Sequence, residues 1–397
     1  MKKISFKQKT RLLSIGFCIL LLSPVTADIF FQTSQGIATD ILPKNEISLP
    51  EIQIRAFYTV QIQLGDNMLL TTGLRFQSED IFSDSFLKNV PSLLSVDNLS
   101  FSYRIPGKGF TTQLAVFAGA YDTVGGDAFL RRYLGTDDID SPFLQKQIGL
   151  EQAGIFTIDG FGVGAISQFS IPIAAAVYSY YNESYSKSSI NFDLRFAGVT
   201  KLLIGDFTFG FGFPSDTMDS DGEDVVLIIR QVDLHTGFTL LFGDNPYAHL
   251  YIQAGASRIQ VNPAEGEDVL SLSDLYIFIE PRCFAGNIQF SFSFFMLPDE
   301  VVENILYIDN STGGAFFIEV PVKLGTIESA FGGYLTTSVP NFATTEVTMD
   351  TLSIQVAPYA EVMLGTGTFA AVFQFRPMKY ATPADMFELS LSYKTTF

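Results

Sequence analysis

Residues 51–64 alternate without a break: Ile52, Ile54, Ala56, Tyr58, Val60, Ile62 and Leu64 fall on one face, and Glu51, Gln53, Arg55, Phe57, Thr59, Gln61 and Gln63 on the other. A period of two marks a β-strand with one apolar face. The run is long for a globular strand, which averages about 5–6 residues. At a rise of ~3.3 Å per residue and a tilt near ~40°, it spans more than the ~25 Å apolar band of a membrane barrel. Gly65-Asp66-Asn67 then turns the chain.

The same pattern recurs to the end of the sequence and predicts strands at 29–42, 51–64, 68–78, 96–105, 110–121, 147–158, 163–181, 188–198, 200–213, 225–242, 247–259, 269–281, 283–297, 314–324, 326–336, 349–364, 367–376 and 386–397. Tight turns, among them Pro106-Gly107-Lys108-Gly109, Asp159-Gly160-Phe161-Gly162, Gly243-Asp244-Asn245-Pro246, Pro281-Arg282 and Gly365-Thr366-Gly367, take turns with long polar links at 79–95, 122–146, 214–224, 260–268, 298–313, 337–348 and 377–385. Short and long connections in alternation describe an all-β chain, a transmembrane antiparallel up-and-down β-barrel of about 18 strands, within a range of roughly 14 to 18. Strand 29–42 is the weakest member, and without it residues 28–50 become a short plug. Face by face, Phe284, Ile288, Phe290, Phe292 and Phe294 are expected outward against Asn287, Gln289, Ser291 and Ser293. Phe207, Phe209, Phe211 and Phe213 stand in the same way against Thr208, Gly210 and Gly212. Eighteen strands leave an aqueous lumen rather than a side-chain core.

The first residues carry five basic groups and no acid, then the apolar run Leu12 to Leu22, then Val25-Thr26-Ala27. This predicts a secretory signal peptide over 1–27, cleaved after Ala27, and a single barrel domain over 28–397. Cleavage removes Cys18, so Cys283 has no partner for an intramolecular disulfide. It also takes the net charge from −18 to −23, which argues against nucleic acid as a partner. No segment after the leader has ~18 consecutive apolar residues, although 47% of the chain is apolar and 14% aromatic. The apolar content is therefore spread over strands.

The last strand sets Phe387, Leu389, Leu391, Tyr393 and Phe397 on one face, with only Thr395 breaking it. An amphipathic strand ending in Phe resembles the outer-membrane insertion signal of diderm bacteria. That resemblance implies an outer-membrane, multi-pass barrel whose partners are outer-membrane lipid, the barrel-assembly machinery and periplasmic chaperones. The link 122–146 carries Asp122, Asp127, Arg131, Arg132, Asp137, Asp138 and Asp140. Its Gly125-Gly126-Asp127 resembles the Gly-Gly-Asp of the third outer loop of general porins, with Thr123-Val124 where that family has Glu-Phe. The resemblance implies an inward-folded constriction.

Charges expected to face the lumen are mixed: Glu51, Arg55, Arg75, Arg104, Asp193, Arg195, Glu280, Glu319, Lys323, Glu361, Arg376, Glu388 and Lys394. With so acidic a chain, the mouth should attract cations. These features together describe a porin-like channel for passive diffusion of small hydrophilic solutes, without cofactor, catalytic residue or metal, and compatible with a homo-oligomer. A hydrophobic-substrate channel resembling long-chain fatty-acid transporters, and a surface adhesin or structural barrel, are the competing readings. The acidic run Asp216 to Asp224 fails the calcium-loop pattern, with Thr217 and Ile228 at ligand positions. Asp233-x-His235 resembles the dyad of omptin proteases, with Asp138 and Asp140 as the one analogue of their second acidic pair. The chain has no Trp, in which those proteases are rich.

Overall fold

The computed structural model describes residues 29–44, 50–83, 86, 94–146, 153–183, 188–218, 224–229, 232–245, 248–263, 268–341, 346, 348–380 and 382–396. The leader with its cut after Ala27, the terminal Phe397 and the centre of the acidic run, 219–223, lie outside the described residues.

Nineteen strands form one antiparallel sheet. In chain order they are β1 (Ile29–Leu42), β2 (Glu51–Leu64), β3 (Met68–Gln77), β4 (Leu94–Pro106), β5 (Phe110–Val124), β6 (Phe156–Phe169), β7 (Ile173–Glu183), β8 (Ser188–Val199), β9 (Leu203–Met218), β10 (Asp224–Ile229), β11 (Asp233–Asn245), β12 (Ala248–Gln260), β13 (Leu275–Ala285), β14 (Ile288–Met296), β15 (Thr312–Leu324), β16 (Ile327–Val339), β17 (Ser353–Leu364), β18 (Gly367–Phe375) and β19 (Phe387–Thr396). Each pairs with its neighbour in sequence, with one exception. β10 pairs only with the far end of β9, and β11 pairs with β9 directly. β10 is therefore a flap beyond the rim, and the wall has eighteen strands. The ring closes where β1 pairs with β19 over Ser34↔Thr396 to Ile41↔Leu389.

Residues 29–42 are thus a wall strand, paired with β2 along its whole length, and not a plug. At this seam the buried Arg55 and Asp40 form an ion pair, and Ser390 Oγ donates to Asp40 Oδ1 at 2.5 Å. Both groups are buried inside the wall, so each charge is tolerated only because of the other.

The outer surface is apolar. Phe292 and Phe294 are 50% and 64% exposed, whereas Ser291 and Ser293, which alternate with them, are at 0% and 1%. Phe207 and Phe209 alternate in the same way with the buried Thr208 and Asp206. A closed sheet presenting a continuous belt of Phe, Leu, Ile and Val outward satisfies every backbone group internally, which suits a hydrocarbon surrounding. No described helix is long and apolar enough to cross a membrane.

Three expected boundaries are corrected. The glycines read as a turn at 159–162 lie inside β6, and the turn falls at Ser170, Ile171 and Pro172. Gly160 (φ 132°) faces Gly119 (φ 87°) across β5–β6, beside a register shift at Ala120/Asp122. A Cβ on either would collide with the backbone carbonyl of the next strand, so both are kinks of the wall and not its end. Secondly, Pro281-Arg282 is not a turn: β13 runs on to Ala285, and its ladder with β14 lapses between Ile279↔Phe294 and Arg282↔Ser291, which accommodates the missing proline N–H. As a result Phe284 takes the inward register of Glu280 and Arg282, and Asn287 lies in the turn after β13. Thirdly, 225–242 is two strands. Asp122, moreover, belongs to β5, and the link after β5 is described over 125–146 and 153–155.

Candidate functional site

The expectation of a water-filled lumen fails in the middle of the barrel. A packed core sits there, made of inward-facing wall residues (Phe117, Tyr178, Tyr251, Tyr276, Phe278, Phe317, Tyr334 and Tyr359) and of two links that fold inside. The first is the link after β5, described over 125–146 and 153–155. It opens with Gly125, whose carbonyl accepts from Gln253 of β12. It continues in helix α1 (Ala128–Leu134), built of good helix formers with Phe129, Leu130 and Tyr133 buried on one side. Gly135 (φ 66°) ends α1 in the left-handed conformation. A short helical turn over Pro142–Leu144 then buries Phe143 against Phe317 and Tyr334, with ring centroids at 6.1 and 5.7 Å.

The second inward link, 297–311, carries the apolar run Ile305-Leu306-Tyr307-Ile308, all buried. Tyr307 stacks on Tyr334 at 3.7 Å. The two links join each other through the antiparallel bridge Lys146↔Ile305 and Leu306 N–H to Gln145 O at 2.8 Å. Together they form a plug.

Ionic anchors fix the plug to the wall. Arg195 of β8 has no exposed surface. Its Nη1 meets Asp122 Oδ2 at 2.9 Å, and Nη2 and Nε engage both oxygens of Asp206 at 2.6 and 3.0 Å. Tyr178 Oη donates to Asp122 Oδ2 at 2.9 Å, and the guanidinium lies 4.2 Å from the Phe129 ring centroid. Arg195 thus binds wall and helix at once. On the other side Ser141 donates to the buried Glu280, which also holds Arg282 Nε at 2.5 Å. Arg376 secures the second link through Asp309 at 3.3 Å and pairs with Glu388 at 3.1 Å.

The other residues singled out in the sequence are scattered along the wall. Arg75 pairs with Asp97 at 2.7 Å, and Glu319 accepts from Tyr359 Oη. Glu361 is partly buried, and Arg104 and Lys323 are exposed near the short-turn end. His235 is bonded to Asp193, over Gly210, where any side chain would collide with both. Phe387, Leu389, Leu391 and Tyr393 lie on β19, with Phe387 stacked on Phe375 at 5.3 Å.

Asp127, Asp138 and Asp140 converge, with carboxylate oxygens within 4.8 Å of one another. Asp127 also pairs with Arg131 one helical turn on, at 2.8 Å, while Arg132 sits near the ring of Tyr133. Burial, and after it the charge of Asp138, pushes the Asp127 carboxyl up to about 6. Burial and the charges of Asp127 and Asp138 likewise hold Asp140 well above the usual carboxylate range. An acid that keeps its proton longer in the folded state stabilises that state fully below its ordinary pKa of ~4. That contribution is lost as pH rises through about 6. The seat of α1 is therefore expected to be tighter at pH 4 than at pH 7.5. After correction for intrinsic exchange, amide protection over 128–134 should fall across that interval, and Asp127→Asn should flatten the dependence.

Two cavities flank the plug. At the long-link end, one of about 430 Å³ is lined by Asp40, Asp299, Glu303, Asp309 and Glu388 against Arg55 and Arg376. At the short-turn end, one of about 710 Å³ is lined by Asp137, Asp138, Asp140 and Glu319 against Arg282, with His249 and Phe284 beside it. Carboxylates outnumber guanidiniums on both sides.

Among solved structures the chain is similar to porins of Rhodopseudomonas blastica. One multiply substituted form gives a TM-score of 0.42 and 8% identity, another 0.44 and 10%, each over 93% of this chain and 100% of that one. It is also similar to Wzi of Escherichia coli, an outer-membrane protein involved in group 1 capsule assembly and described as a carbohydrate-binding β-barrel, at a TM-score of 0.48 and 9% identity over 100% of this chain and 89% of that one. No family model and no curated protein matches. The barrel itself rests on its own closed ladder of strand pairs.

The sequence pattern missed Asp206, although it shares the inward register of Thr208, and it read the second link, 298–313, as a polar outer link and missed that it folds inward. The signal was there in Ile305 to Ile308, four apolar residues in succession where a solvated loop would be polar.

Proposed function

We propose that this chain is an outer-membrane channel, not an enzyme, that passes small hydrophilic solutes by diffusion with a preference for cations. The long links would face outward and the short turns the periplasm, with the β19 face serving as the assembly signal. The observation that carries the reading is the excess of carboxylates in both cavities. A solute that approaches from either end meets a negative field inside low-dielectric walls, which concentrates cations and repels anions. The packed core between the two cavities narrows any path, so conductance should be small. Arg55, Arg75, Arg104, Arg195, Glu319, Lys323 and Glu361 would line or brace the path.

The test is single-channel recording on the refolded protein in a tenfold KCl gradient. Small ohmic steps with a reversal potential displaced toward that of K⁺ are expected. A displacement toward Cl⁻ would sink the cation preference. The aromatic core across the lumen favours a second reading, a closed structural or adhesive barrel, and a folded protein without conductance would establish it.

A further inference from the structure

We infer that the cavity at the short-turn end is a binding site for a small zwitterion, a solute carrying one carboxylate and one ammonium group in the manner of an amino acid. As the identity of a transported solute this rests on the channel reading; as a binding site it does not.

Arg282 of β13 is 7% exposed and lines this cavity. Its guanidinium is fixed on two sides, by Glu280 through Nε at 2.5 Å and by the Tyr251 ring, whose centroid lies 4.5 Å away. Its Nη2 is buried and has no hydrogen-bond partner among the described residues. Buried donors are rarely left unpaired, because nothing replaces the water they lose. The planar fork of an arginine is suited to a carboxylate oxygen.

The plug forms another wall and carries the opposite charge. Asp137 and Asp138 are exposed, and Asp140 is partly so. The row is tied close to Arg282, because Ser141, the next residue, is bonded to the same Glu280. Phe284 and Phe317 add apolar surface. A volume of about 710 Å³ lies within the range usual for small-molecule sites.

The charge pattern separates the solute classes. A simple anion would find one guanidinium, already shared with Glu280, against the carboxylates of Asp137, Asp138 and Glu319. A simple amine would suit the carboxylates and leave Nη2 as it is. A zwitterion places its carboxylate on Arg282 and its ammonium on the plug.

The test is isothermal titration of the refolded barrel in detergent micelles with L-glutamine, N-acetyl-L-glutamine, which lacks the ammonium, and L-glutaminamide, which lacks the carboxylate. L-Glutamine should bind at least tenfold more tightly than either derivative. Arg282→Leu should abolish that advantage over the amide, and Asp138→Asn should reduce it over the N-acetyl form. Equal affinity for all three ligands would overturn the assignment. So would an Asp138→Asn barrel that still rejects the N-acetyl form as the wild type does, and this surface variant decides even if Arg282→Leu, which strands Glu280, does not fold. A barrel that binds L-glutamine selectively but does not conduct refutes the channel and keeps the site. One that conducts without such selectivity refutes the site and keeps the channel.

Discussion

Arg195→Leu should destabilise the barrel by about 3–5 kcal/mol, because it leaves Asp122 and Asp206 buried together without a counter-charge. The same change removes the cation from the face of Phe129, so α1 loses its hold on the wall. Two readouts should move together: the urea midpoint followed by circular dichroism falls, and the mean single-channel conductance rises as the plug loosens. Neutralising the carboxylates as well, in Arg195→Leu with Asp122→Asn and Asp206→Asn, should restore much of the stability, since the stranded charges dominate the loss. If the triple variant is no more stable than the single one, the Arg195 cluster is not an electrostatic anchor. If stability falls while conductance stays fixed, the cluster braces the wall alone.

Phe143→Ala should be comparable in size and different in character. Phe143 is fully buried between Phe317 and Tyr334, and truncating such a ring costs about 3–5 kcal/mol through lost burial and the void left behind. The wall keeps all its strand pairs, so the loss should fall on the seating of the plug. Protease accessibility of 135–146 should increase sharply while the folded barrel keeps its anomalous gel mobility. Phe143→Leu, which retains most of the volume, should lose less than half as much. A Phe143→Ala protein with an unchanged proteolysis pattern would mean that the link is held elsewhere.

The wall was legible because each of its residues answers to one of two media. Ile54 beside Arg55, or Phe292 beside Ser293, leaves no doubt about which side is which, and repetition of that contrast yields the strand number. Errors arose where a local signal has two meanings. Glycine at 160 and 162 reads as a turn, but here it relieves crowding against β5 and β7. Pro281 reads as a break, but the ladder lapses around it.

The plug was not legible, because it depends on packing between a link and the inner wall, and a period-two pattern records only which face a residue takes. Tyr251, Phe317 and Tyr334 have the inward register of polar residues and become a core only when Phe143 and Tyr307 meet them. Asp138 and Asp140 belong to the short-turn cavity, and Asp127 to the anchorage of α1.

The seam between β1 and β19 imposes an order in time. Ser390 and Asp40 are 350 residues apart in sequence, so the chain must be complete before this bond can form, and its loop-closure entropy is met last. Until then β1 presents an open edge to any neighbouring strand. The Arg55–Asp40 pair is by then already held at one side by β2. Arrival of β19 buries it and removes the last open edge, so closure and the loss of aggregation risk are a single event.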